Sequence, residues 1–102
     1  MIIVGDIGNT DTKICLLNSS KKTVKRINLN TKKITTKLLQ KSFNKLKLKN
    51  IKITKCLFCS VVPKSFHLIK NTLKKNYQIK LHELKSLNLS KLIKIKVNYK
   101  QI

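Results

Sequence analysis

The sequence predicts a single α/β domain, an α+β mixed sheet built in the order strand, strand, strand, helix, strand, helix, strand (βββαβαβ). Three observations predict it. Apolar and polar residues alternate in three short stretches between Met1 and Leu29, the period-2 signature of strands with one buried face. From residue 31 to about residue 48, apolar residues recur instead at helical spacing. Residues 51–62 then hold the most continuous apolar run, which Pro63 ends and a second helical pattern follows.

In the first stretch Ile2, Val4 and Asp6 fall on one strand face and Ile3, Gly5 and Ile7 on the other. Gly8 and Asn9 are residue types that tolerate the positive φ of a tight turn, so residues 13–17 are expected to fold back antiparallel. Asn18, Ser19, Ser20, Lys21 and Lys22 make a polar turn. Residues 23–29, with Val24, Ile27 and Leu29 apolar, form a third, partly exposed strand. The first helix carries Ile34, Leu38, Leu39, Phe43 and Leu46 on its core face, lysines on the other, and Asn30 or Thr31 as cap. A basic face on a membrane surface is the minor alternative for it.

The run 51–62 has little alternation and suits a central strand buried on both faces. Pro63 opens a helix over about 64–76 that buries Phe66, Ile69 and Leu73, with Tyr77 at its end. Residues 78–84 alternate through Ile79 and Leu81 as a further strand. Leu84, Leu87, Leu89, Leu92 and Ile93 space a linker, and residues 93–99 read as a last short strand. Neither an internal repeat nor a Gly/Ser- or Pro-rich linker marks a boundary, so residues 1–102 form one domain.

A chain of 102 residues buries roughly two thirds of its unfolded surface, and a hydrophobic fraction of 41% argues for a folded chain despite the net charge of +21. That charge invites nucleic acid as partner. Against specific recognition stand lysines spread over nearly every segment, Arg26 as the single arginine, and 5% aromatics, because base readout favours Arg and strand stacking favours aromatic rings. No apolar run reaches the roughly 20 residues that span a bilayer, and the N-terminus lacks the basic flank and long apolar core of a signal peptide. The expected setting is the cytoplasm, with no membrane partner. Cys15, Cys56 and Cys59, an odd number, are expected as reduced thiols.

The residues with chemistry to offer gather at the tip of the first hairpin, from Asp6 to Lys13. The tip supplies backbone N–H donors, the hydroxyls of Thr10 and Thr12, the Lys13 ammonium and the Asp6 carboxylate. Turn N–H groups form a concave anion site, lysine adds a point charge, and a carboxylate holds Mg²⁺ directly or through water, which together suit a nucleotide phosphate with its metal. An ordinary hairpin with a polar tip has the same composition. Asp6 stands out by scarcity, since Asp6, Asp11 and Glu83 are the only acids. Cys56 and Cys59 form a Cys-x-x-Cys without a second pair, and three residues apart on a strand they point to opposite faces. His67 and His82 have no nucleophile paired with them and are expected as structural or surface residues. Neither a Walker A sequence nor a Gly-x-Gly-x-x-Gly occurs.

Asp6, Ile7, Gly8, Asn9 and Thr10, followed by Lys13 and preceded by an apolar strand, resemble the first phosphate motif of the type III pantothenate kinases, members of the actin-like, ribonuclease H-like superfamily. Two later segments agree in order and spacing. Cys59 to Pro63 resembles the family's Ser-Val-Val-Pro segment, and residues 93–101 resemble the strand leading to its Tyr-x-Asn-Pro turn. The resemblance implies the ribonuclease H-like topology of three antiparallel strands followed by two parallel ones on helical crossovers; from periodicity alone a generic α+β domain remains. It implies ATP phosphates at Asp6, Gly8, Asn9, Thr10 and Lys13, with Asp6 also placing the metal, and Tyr99 lining a pantothenate pocket. The implied cofactors are ATP, Mg²⁺ and a monovalent cation (K⁺ or NH₄⁺), in a homodimeric kinase of coenzyme A biosynthesis.

Asp11 departs from the pattern by adding an anion near the phosphates. The sequence also reaches Ile102 without the family's Gly-x-Asp-Arg motif, whose Asp serves as base, and without the second phosphate and adenosine segments. The expectation is therefore an N-terminal domain, truncated before the second one, holding no catalytic base and inactive alone. The alternative is a non-catalytic basic binding protein, for nucleic acid or as a regulatory homologue of the kinase.

Overall fold

In the computed structural model, which describes residues 1–84, the first two alternating stretches pair as the expected hairpin. Strands β1 (Ile2–Ile7) and β2 (Asp11–Leu17) run antiparallel, from Ile2 opposite Leu17 to Ile7 opposite Thr12. Alternation sorts their side chains as the sequence predicts. Ile3, Ile7, Ile14 and Leu16 enter the main core, whereas Val4, Cys15 and Leu17 form a smaller buried cluster on the other face with Cys59.

Strand β3 (Thr23–Asn30) pairs antiparallel with β2. Ile27 and Leu29 pack against the core, but Val24 is 47% exposed. Val24 lies an odd number of residues from Ile27, so a regular strand turns it to the opposite face. A register irregularity at Leu16/Leu17 marks the same end of the pair.

The first helix is shorter than its periodicity predicts. A 3-10 turn (Thr31–Lys33), capped by Asn30 Oδ1 accepting from the Lys32 N–H at 3.0 Å, is followed by extended backbone at Ile34 and Thr35. Helix α1 (Thr36–Lys45) begins only there, with Thr35 Oγ1 accepting from the Leu38 N–H at 3.1 Å. Three consecutive β-branched residues, Ile34, Thr35 and Thr36, explain the break, since crowding at Cβ disfavours helix and a threonine hydroxyl favours the cap position. Asn30 therefore caps the 3-10 turn and Thr35 the helix, while Thr31 has another task described below.

Strand β4 (Lys55–Ser60) lies parallel to β1, and β5 (His82–Glu83) lies parallel to β4, giving the sheet order β3-β2-β1-β4-β5. The expected strand over 51–62 is trimmed at both ends. Ile51 and Ile53 reach the core from outside it, and Val61 is 59% exposed. Helix α2 (Pro63–Tyr77) opens on proline as expected and buries Phe66, Ile69 and Leu73. Gln78, expected to begin a strand, instead adopts a left-handed conformation (φ 54°) and donates its N–H to Lys74 O at 3.1 Å. The Ile79 N–H follows by donating to Leu73 O at 3.1 Å, so the helix cap takes the start of the expected strand and β5 begins only at His82. The expected last strand (93–99), with Tyr99, lies outside the described residues.

Both helices pack on the main-core face. Leu39 and Phe43 of α1 meet Phe66, Ile69 and Leu73 of α2 in one cluster with the sheet. Tyr77 closes it, edge-on to Phe43 at 5.8 Å between centroids, with its hydroxyl donating to Asn44 Oδ1 at 2.7 Å. Cys56 belongs to this core and Cys59 to the smaller cluster, so the two cysteines face opposite sides of β4 as their spacing requires.

Burial pushes the Cys56 thiol from its ordinary 9.0 up to about 12. The folded chain thus keeps a proton that the unfolded chain releases above 9.0. Its contribution to stability is complete below that pH and is lost as pH rises toward 12. Urea midpoints measured near pH 8 and near pH 10 are expected to fall further for the wild type than for Cys56→Val.

Candidate functional site

Parallel strands β1 and β4 end side by side, and the β1–β2 tip continues from that edge. In sheets with parallel strands, ligands gather at such carboxyl ends. Asp6 sits there, half-buried, with Lys13 opposite it on β2 and Cys59 opposite it on β4. The Cys59 thiol donates to Asp6 Oδ1 at 3.2 Å. Strand parity puts Asp6, Lys13 and Cys59 on one sheet face, the face of the smaller apolar cluster.

The tip itself is short. The Gly8 N–H donates to Asp11 O at 2.9 Å, and the exposed Asn9 and Thr10 form the crest. Among the described residues only Lys21, Lys47 and Gln78 have positive φ, so the expectation that Gly8 and Asn9 supply left-handed backbone is corrected. What Gly8 contributes is the lack of a side chain: a Cβ there would stand 3.2 Å from the Asp11 carbonyl oxygen. Gly5 matters more. A Cβ at Gly5 would run into the ring of Phe58, its partner on β4.

Thr12 does not join the polar inventory of the tip. It is fully buried, and its hydroxyl shares a 2.8 Å hydrogen bond with Thr31 Oγ1, while the Thr31 N–H donates to Thr10 O at 2.9 Å. Odd and even positions separate here: Asp11 and Lys13 are exposed on the Asp6 side, and Thr12 turns to the helix side. This pair fastens the β1–β2 hairpin to the 3-10 turn that follows β3. Thr12→Val strands the Thr31 hydroxyl in the interior, and we expect a loss of about 1–3 kcal/mol by urea unfolding, partly recovered in Thr12→Val/Thr31→Val.

On the helix side of the tip, a cleft of about 590 Å³ opens between Asn9, Thr31, Lys32, Val62, Lys64 and Ser65. The sequence-predicted site residues therefore divide. Asp6 and Lys13 come together on one face, Gly8 and Thr10 lie at the tip, and Asn9 also borders the cleft; Tyr99 lies outside the described residues. Ser60 closes the turn into α2 by accepting from the Val62 N–H at 2.9 Å and donating to Val62 O at 3.0 Å. His67 and His82 are both exposed, the former edge-on to Phe66. Sequence reasoning missed Cys59, Gly5 and Thr31 as parts of this region. Their roles come from cross-strand register and burial, which no local pattern reports.

No cluster of three or more His, Cys, Asp or Glu side chains that could hold a metal occurs among the described residues. The half-buried Asp6 carboxylate at the strand end is the kind of donor that fits Mg²⁺, which keeps several waters and commonly binds through one or two carboxylates plus substrate phosphates. No described helix is long and apolar enough to cross a membrane.

A family model described as type III pantothenate kinase matches residues 2–102. A type III pantothenate kinase of Pelagibacter ubique (strain HTCC1062) is 67% identical over 102 residues, covering all of this chain and 41% of that protein. The chain thus spans about two fifths of that relative's length. Among solved structures, a ROK family protein from Streptococcus pneumoniae TIGR4 in complex with sucrose aligns over 91% of this chain and 38% of its own, with a TM-score of 0.56 and 19% identity. This last likeness is one of fold, and it agrees with the mixed α/β topology that the family resemblance implies.

Proposed function

The chain belongs to the type III pantothenate kinase family, and on that premise we propose that its opening hairpin holds the ATP phosphates for γ-phosphoryl transfer to pantothenate, the entry step to coenzyme A. One observation carries the reading: Asp6 and Lys13 face each other where β1 and β4 end, with the Gly8-Asn9-Thr10 tip beside them. Lys13 supplies a positive charge and Asp6 a metal-binding carboxylate. Asn9 and Thr10 line the phosphates with backbone N–H groups and the Thr10 hydroxyl. The Gly8 N–H already serves the Asp11 carbonyl, so Gly8 acts by leaving room for close approach. Mg²⁺, when bound, neutralises charge on the transferring phosphoryl group. Everything this chain adds is positioning and electrostatics, which dominate phosphoryl transfer.

The same reading extends to a monovalent cation such as K⁺, to Tyr99 in the pantothenate pocket, and to a homodimeric cytoplasmic enzyme of which residues 1–102 form a single N-terminal domain. The 102 residues contain no Gly-x-Asp-Arg, so we place the base that activates the pantothenate hydroxyl elsewhere.

The test is a chimera in which residues 1–102 replace the matching part of the Pelagibacter ubique kinase. It is expected to bind Mg·ATP in calorimetry and to convert ATP and pantothenate to ADP and phosphopantothenate, while the 102-residue chain alone shows no turnover. Turnover by the pure chain would overturn the placement of the base. An inactive, folded chimera together with absent Mg·ATP binding would overturn the phosphate-site reading.

A further inference from the structure

We infer that Cys59 is a positioning residue for Asp6: its thiol, donating from the adjacent parallel strand, sets the direction in which the carboxylate meets magnesium-bound phosphates. The inference rests on the phosphate-site reading above and deepens it. Asp6 and Cys59 are register partners, and Sγ lies 3.2 Å from Oδ1. Cys59 is 3% exposed and packed with Val4, Cys15 and Leu17, so its donor is fixed by the sheet and cannot swing into solvent. Asp6 is half-buried at a strand end, where a carboxylate without a fixed donor rotates about two side-chain bonds.

The chemistry of the donor matters as much as its place. On the β2 side Asp6 faces Lys13, a cation; on the β4 side it meets a thiol, which is a weak and neutral donor. A neutral donor orients the carboxylate and leaves its negative charge for the metal, whereas a second cation would compete with it. Cys56, three residues earlier, is held in the opposite core. The neighbouring Ser60 hydroxyl is engaged at the Val62 backbone. Of these three polar or polarisable side chains on one strand, Cys59 is the one that reaches Asp6.

The experiment measures Mg·ATP binding by calorimetry to the chimera described above, with and without a chelator that removes Mg²⁺, for the wild type, Cys59→Val, Cys59→Ser and Asp6→Asn. Valine fills the space without a donor, and serine keeps one. Cys59→Val is expected to weaken Mg·ATP about tenfold, in the range seen when the hydrogen-bond partner of a metal ligand is removed, and to leave metal-free ATP unchanged. Cys59→Ser is expected to stay within about twofold of the wild type. Wild-type Mg·ATP affinity in Cys59→Val, with binding lost in Asp6→Asn, would refute the positioning role and leave the phosphate site standing. Wild-type affinity in Asp6→Asn would instead bring down the site itself. Equal weakening of both ATP forms in Cys59→Val would mark a packing defect and also refute the positioning role. Unfolding midpoints of all four proteins accompany the titrations, and if Cys59→Val unfolds, Cys59→Ala is titrated in its place.

Discussion

Asp6→Ala is expected to lower kcat/KM of the chimera by about 10²–10³-fold, the scale on which single electrostatic groups act at a transition state. The loss should fall on kcat and on the KM for Mg·ATP, with the KM for pantothenate little changed. Three features single out Asp6 for so large an effect. It is one of only three acids in a chain of net charge +21. It is the penultimate residue of β1, the strand flanked by both the hairpin partner β2 and the parallel partner β4. It is also half-buried with a fixed donor, so its carboxylate is already aimed before any ligand arrives.

Stability should hardly change. Asp6 packs in neither apolar cluster, and losing one thiol hydrogen bond is worth about 1 kcal/mol or less. An unfolding midpoint near wild type with activity intact would remove Asp6 from the phosphate site. A collapse of both together would make its role structural.

Gly5→Val should do the reverse and deprive the chain of its fold. Gly5 and Phe58 are partners across β1 and β4, and the space that a Cβ would need is filled by the Phe58 ring. The ring is fully buried in the main core beneath the helices, so it cannot turn aside into solvent. Adding atoms to a filled core costs about 1–3 kcal/mol or more, against a total stability of about 5–15 kcal/mol for a domain. We expect Gly5→Ala to lie near the upper part of that penalty and Gly5→Val to leave too little stability for a cooperative urea transition. A Phe58→Leu change made alone should destabilise. Combined with Gly5→Ala it should cost less than the sum of the two single changes, because the smaller side chain yields the contested space. Strict additivity of the two would show that the clash is relieved elsewhere.

Much of this fold is legible in the residues alone. The period-2 runs of β1 and β2 carry their own face assignment, which the two apolar clusters repeat residue by residue. Pro63 announced α2, and the spacing of Cys56 and Cys59 announced their opposite faces. The misreadings share one cause. In each, one local rule overrode another: the β-branched run at Ile34 to Thr36 broke the helical period, and the left-handed cap at Gln78 ended α2 instead of starting β5. Val24 is apolar yet falls on the exposed face of the partly exposed β3, because parity separates it from Ile27 and Leu29.

The candidate site was legible in composition and illegible in geometry. Asp6, Gly8, Asn9, Thr10 and Lys13 are adjacent in sequence, so one motif exposes them all to inspection. Thr12 sits in the same motif and looks equally available, yet strand parity turns it inward to Thr31. Cys59 lies 53 residues from Asp6 and touches it.

Most element types, the faces of the hairpin and the family are written in the residues, because periodicity and short motifs are local properties of a chain. Only the tertiary structure decided which side chains meet at Asp6, why Gly5 tolerates no side chain and which threonine is spent on the core. Those are consequences of register between strands far apart in sequence, and register follows from the packing of the whole sheet against its helices.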